Sequence, residues 1–130
     1  MRVIYTADVV RDNDSRAYVA DIVEYKEAIT HAETKEELLN NLQEALESII
    51  IDSIAHGESL RSPIDNAEEM VEGMAMLIPI DIDKVMHEAN PKYDRRNITL
   101  PAYLNDYAKK EKIDVSKLAR EALERELITH

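Results

Sequence analysis

Near the end of the chain, Arg95-Arg96-Asn97-Ile98-Thr99-Leu100 alternates polar and apolar residues, and two amphipathic segments follow it without a long break. A period of two predicts a strand with Ile98 and Leu100 on one face and Arg95, Asn97 and Thr99 on the other. Pro101 suits the first turn of a helix, in which Leu104, Tyr107 and Ala108 form an apolar stripe. After a short turn at Lys112–Val115, Asp114 or Ser116 caps a second helix carrying Leu118, Ala119, Ala122, Leu123 and Leu127. One strand and two helices within residues 91–130 are too little to close a core, because chains below about 40 residues need outside help. The lone strand also leaves an open edge. A second copy answers both needs: the strands pair antiparallel, and Ile98, Leu100, Leu104, Leu118 and Leu123 form a shared dimer core. Arg95, Asn97 and Thr99 then project from a two-stranded ribbon of a size that enters the DNA major groove. There Arg pairs with guanine and Asn with adenine in bidentate fashion. The start of the second helix, at Ser116 and Lys117, faces a phosphate with its amides and its positive dipole end.

The chain carries a formal net charge of -11, which argues against nucleic acid until its distribution is considered. Residues 91–130 hold nine Lys/Arg and seven Asp/Glu, a net of +2, so residues 1–90 carry -13. This asymmetry predicts two jobs: an acidic body that repels phosphate and attracts a basic protein, and a tail able to approach DNA. The expected domains are therefore 1–90 and 91–130, with the break at Asn90-Pro91. Cysteine is absent, which excludes disulfides and thiolate metal sites. The start of the chain lacks a basic flank followed by an apolar core, and no apolar run approaches a membrane span. A soluble, cytoplasmic protein is expected.

In the acidic part, Arg2–Val10 and Ala17–Val23 read as a hairpin around Asp12-Asn13-Asp14-Ser15, and Glu27–His31 as a third strand. Thr34-Lys35-Glu36-Glu37 has capping-box spacing. The helix behind it, ending near Ala55 with Gly57 beyond, places Leu38, Leu42, Ala45, Leu46 and Ile49 on one stripe. Residues 57–73 read as a loop with a helical turn near Asn66–Val71. Met74–Ile82 reads as a buried strand, and Asp83 as the cap of a helix over Lys84–Ala89. The fold class is α+β, ordered β-β-β-α-β and then β-α-α.

The segment 94–128, with Arg-Asn-Ile-Thr-Leu-Pro and then Ser-Lys-Leu-Ala-Arg-Glu-Ala-Leu, resembles the ribbon-helix-helix family. That resemblance implies base readout by Arg95, Asn97 and Thr99, with phosphate anchoring at Ser116 and Lys117. Arg96 stands where family strands often have an inward apolar residue and is directed instead to the DNA backbone or an acid. Nearly the whole chain resembles the HicB-type antitoxins. Thr34-Lys35-Glu36-Glu37-Leu38 through Asn41 and Glu44-Ala45-Leu46 carry this likeness, as does Pro79-Ile80-Asp81-Ile82-Asp83 leading to Arg96–Pro101. The Asp-Leu-Pro-Gly turn of many relatives is replaced by Asp21-Ile22-Val23-Glu24. The resemblance implies a partial RNase H-like domain that neutralises a small basic, HicA-like, mRNA-cleaving toxin, and a dimer that represses its own operon. Glu24, Glu27 and Glu33 are the candidate toxin contacts.

Two rival classes remain at this point. One is a ligand-responsive ribbon-helix-helix repressor without a toxin. The other is a nuclease using Asp8, Asp21, Glu44 and Asp81 to hold two metal ions about 4 Å apart. Surface acids are so common in this sequence that the second carries little weight. His31, His56, His87 and His130 show no ligand spacing. No catalytic residue, metal or cofactor is expected.

Overall fold

The computed structural model of the chain describes residues 1–90, 92 and 94–129; Pro91, expected at the domain break, and His130 lie outside them. In order come β1 (Arg2–Arg11), β2 (Tyr18–Ile22), β3 (Ile29–Ala32), α1 (Lys35–Ala55), β4 (Met74–Asp81), α2 (Ile82–Ala89), α3 (Ala102–Lys110) and α4 (Val115–Thr129). A single 3-10 turn at Ala67–Glu69 interrupts the loop before β4. The four strands form one antiparallel sheet in the order β3-β2-β1-β4.

β1 is central because hairpin formation gives it β2 on one side and the chain returning after α1 adds β4 on the other. The hairpin turn is built by Asp12, whose carboxylate accepts the Ser15 hydroxyl at 2.7 Å and the Asp14 amide at 3.3 Å. Val3, Tyr5, Ala7 and Val9 alternate along β1 and are buried in a core they share with α1. On the helix, Leu38, Leu42, Leu46 and Ile50 recur every four residues, close enough to the 3.6-residue turn to hold one face, and all four are fully buried. The expected stripe was displaced slightly: Ile50 lies at its centre, whereas Ala45 and Ile49 are only partly buried at its margin. Thr34 caps the helix, its hydroxyl accepting the Glu37 amide at 3.2 Å. At the other end Gly57 takes φ +71°, a left-handed conformation that glycine adopts without strain.

Two expectations are overturned. The run Met74–Ile82 is not a strand buried on both faces: Ile78 and Ile80 are buried, whereas Met74 and Leu77 are exposed. Helix covers only one side of the sheet and Leu77 points to the other, whereas Met74, on the same side as Val9, is the first residue of the edge strand. The cap of α2 is Asp81, which accepts the Lys84 amide at 3.2 Å, so the helix starts at Ile82 rather than at Lys84. Arg95–Leu100, expected to pair with a second copy, forms no ladder within the single chain among the described residues.

Gly73 stands where the loop enters β4. A Cβ there would lie 2.1 Å from the Val9 carbonyl oxygen, a backbone atom that cannot move without disturbing β1. Gly73→Ala is expected to destabilise the fold by about 1–3 kcal/mol, the usual cost of overpacking, in urea-unfolding curves.

Candidate nucleic-acid interface

Residues 94–100 are exposed throughout, so Arg95, Arg96, Asn97 and Thr99 all reach solvent. Ile98 and Leu100 are exposed as well, at 56% and 37%. The same holds for the expected dimer-core residues Leu104, Leu118 and Leu123 on the two helices that follow. In α3 only Ala108 is buried. The C-terminal segment thus forms its helices yet buries almost none of its apolar side chains against its own chain. Exposed aliphatic surface of this kind marks an interaction site.

Ser116 and Lys117 lie in the first turn of α4. The amide of Lys117 is already held by the Asp114 carboxylate at 3.1 Å, so Asp114 is the cap. The carboxylate satisfies one of the orphan amides and adds a negative charge at the positive end of the helix. The other end of α4 is fastened to the sheet-bearing part of the chain. The Leu60 amide donates to the Leu127 carbonyl at 2.8 Å, and the Ser62 hydroxyl donates to the Ile128 carbonyl at 2.7 Å. Leu127 and Ile128 also pack against the edge of the main core.

The three glutamates expected at a protein interface have different surroundings. Glu24 is 6% exposed, and its carboxylate accepts the Thr6 amide at 3.2 Å and the Ile64 amide at 3.0 Å. It ties β1 to the loop and offers no charge to the surface. Glu27 is half exposed and forks onto Arg61 at 2.6 and 3.0 Å. Glu33 is exposed.

Arg61 escaped the reading of the sequence. Its guanidinium lies 4.6 Å from the Tyr25 ring centroid and donates to Glu27 and to the Glu24 carbonyl. Its backbone amide donates to the Tyr25 hydroxyl and its carbonyl accepts from the Tyr5 hydroxyl, both at 2.8 Å. The two tyrosines meet edge to face at 5.4 Å. Burial pushes the Tyr5 phenol far above its ordinary range, which keeps it a neutral donor. One signal for Arg61 was present: it is the single Lys or Arg between Lys35 and Lys84.

The carboxylates considered for metal chemistry do not converge. Asp8 accepts the amides of Glu72 and Gly73 at 3.0 and 2.9 Å. Asp21 is its neighbour across the ladder, but Asp81 caps α2 at the far end of β4, and Glu44 belongs to the helix on the opposite side of the sheet. Among the described residues no group of His, Asp and Glu is arranged to hold a metal ion, and no helix is long and apolar enough to cross a membrane.

A four-stranded antiparallel sheet backed by one long helix and followed by two shorter terminal helices defines a HicB-like α+β fold. The crystal structure of the Burkholderia pseudomallei antitoxin HicB is similar over 95% of this chain and 98% of that chain, with a TM-score of 0.63 and 21% identity. A toxin-antitoxin complex from Streptococcus pneumoniae contains a chain similar over 97% of this one and 99% of its own length, with a TM-score of 0.54 and 17% identity. No family model matches the chain, and no curated protein matches its sequence.

The Arg61 hydrogen bonds hold the Glu27 carboxyl below the usual glutamate range. A depressed native value means that the stabilisation is complete above the unfolded value, about 4.3, and disappears as pH falls through the lower native one. Arg61→Met is therefore expected to lower the melting temperature at neutral pH and to flatten its fall on the acid side, as read by thermal melts across that window. Glu24→Ala leaves two loop and strand amides unpaired and is expected to cost about 1–3 kcal/mol in chemical denaturation.

Proposed function

We propose that this chain is the antitoxin of a toxin–antitoxin pair. Residues 1–90 form a partial RNase H-like body that sequesters a small basic toxin ribonuclease. Residues 91–130 form, with a second copy, a ribbon-helix-helix module that reads operator DNA and represses the operon. The protein acts in the cytoplasm and carries out no catalysis of its own. The fold likeness to the HicB antitoxin over nearly the whole of both chains carries this reading.

Two further features support it. The apolar residues Ile98, Leu100, Leu104, Leu118 and Leu123 remain exposed in a single chain, as a segment that completes its core by pairing would leave them. Charge supports the other half. A body at -13 meets a cationic RNA-binding surface with complementary potential, which speeds encounter and fixes orientation. Covering that surface denies it to RNA. In the paired state Arg95, Asn97 and Thr99 face the bases, and Arg96 reaches the backbone. Asp114 leaves Ser116 and Lys117 a reduced share of the phosphate contact, because it has taken one amide.

Co-expression of the chain with the product of the small open reading frame beside its gene is expected to restore growth that the product alone arrests. A harmless neighbour that does not bind this chain would refute the antitoxin reading. In gel shifts on the DNA upstream of the operon, Asn97→Ala is expected to lose about 1–3 kcal/mol of discrimination at one base position, the worth of a bidentate contact. Unchanged specificity would remove Asn97 from the readout.

A further inference from the structure

Helix covers one face of the sheet; the other carries no helix, and although Thr6 is buried on it, most of its aliphatic side chains are exposed. Residues opposed across antiparallel ladders point to the same side, so Ile4 and Val10 of β1, Ile29 of β3 and Leu77 of β4 share the open face with Asp8 and Asp21. These four aliphatic side chains are 45%, 43%, 64% and 63% exposed. The outward side of α1 differs. Glu36, Glu37, Asn40, Glu44 and Asp52 are exposed there, and α1 has no exposed large hydrophobic residue. Both sides of the body are acidic, but only the open face combines carboxylates with aliphatic surface.

The combination is local. Asp8, Asp21 and Glu72 line a notch of about 280 Å³ together with Val10, Val19 and Ile29. Asp21 and Glu72 make no ion pair among the described residues. Such a notch matches the two halves of a lysine or arginine side chain: a hydrocarbon stem against Val10 and Ile29, and a cationic head among the carboxylates.

The geometry points to the open sheet face as the docking surface for the basic toxin, with a Lys or Arg of the toxin seated between Asp8, Asp21 and Glu72 and an apolar patch laid over Ile29, Ile4 and Leu77. This assignment rests on the antitoxin reading above and adds to it the face and the chemistry of contact. Charge selects the occupant. A second copy of this body would bring -13 against -13 and be repelled, whereas a cationic protein is attracted and covers the aliphatic surface at the same time.

The test uses the full chain and, as probe, the purified product of the adjacent small open reading frame, with calorimetry and light-scattering masses. Leu77→Lys and Asp21→Lys are each expected to weaken binding about 30-fold or more, the effect of losing a central interface contact. Glu44→Lys, on the outward side of α1, is expected to stay within about threefold, as a rim charge does. Thermal melts and operator gel shifts identify any variant that fails to fold. Independently of any variant, hydrogen exchange on the wild-type complex should protect β3 and β4 amides at the open face. Wild-type binding that survives Leu77→Lys and Asp21→Lys, with protection confined to α1, would overturn the docking face and leave the antitoxin reading intact. Absence of wild-type binding would overturn both. A toxin-free assembly whose mass falls on Leu77→Lys would show that a second copy occupies the face, and would also overturn the proposal.

Discussion

The packing of the aliphatic stripe of α1 into one core with the inward residues of the sheet is the interaction on which the rest of the molecule depends. Leu38, Leu42, Leu46 and Ile50 share that core with Val3, Tyr5, Ala7 and Val9, and all are buried. This single layer of helix over a single sheet has two consequences. It gives the body one dense core, with Ile78 and Ile80 of β4 and Ile22 of β2 at its sides. It also leaves Ile4, Val10, Ile29 and Leu77, of opposite parity, outside that core, so the outer face of the sheet is stabilised by other means or used for contact with another molecule.

Polar groups provide part of that stabilisation. Glu24 and Asp8 each accept two backbone amides, and three of these four donors come from the stretch between Ile64 and Gly73. The Thr6 amide is buried and the Ile64 amide partly so, and such donors must be paired, whereas the Glu72 and Gly73 amides are bonded at the surface. The carboxylates pair them. Arg61 performs the complementary task at the loop's beginning, where it stacks on Tyr25 and forks onto Glu27. The acidic composition of the body therefore includes structural members: some carboxylates hold the backbone, while others remain on the surface.

The sequence was most legible where a residue's role is decided by its near neighbours. The hairpin around Asp12, the Thr34 cap and the extent of α1 follow from local chemistry, and the structure agrees with them. Legibility failed where the deciding partner is distant. Glu24 reads as one more surface acid until Ile64, 40 residues on, turns an amide toward it. Met74–Ile82 reads as a buried strand because its composition is apolar, but composition does not reveal how many layers cover a sheet. Asp81 rather than Asp83 caps α2 because β4 runs directly into the helix without a turn. In the C-terminal segment the polar–apolar alternation was plain, yet it specifies a ladder only when another strand pairs with it, and among the described residues neither edge of the sheet does so.

α4 is fastened to the rest of the chain near its C-terminal end. Its last turns reach the sheet-bearing body through two carbonyls, held by Leu60 and Ser62, and through the packing of Leu127 and Ile128. Asp83 of α2 adds a hydrogen bond to Glu124 of α4. These contacts leave Leu118 and Leu123 exposed, so docking of α4 onto its own chain and burial of its apolar side chains against another molecule do not compete for the same residues.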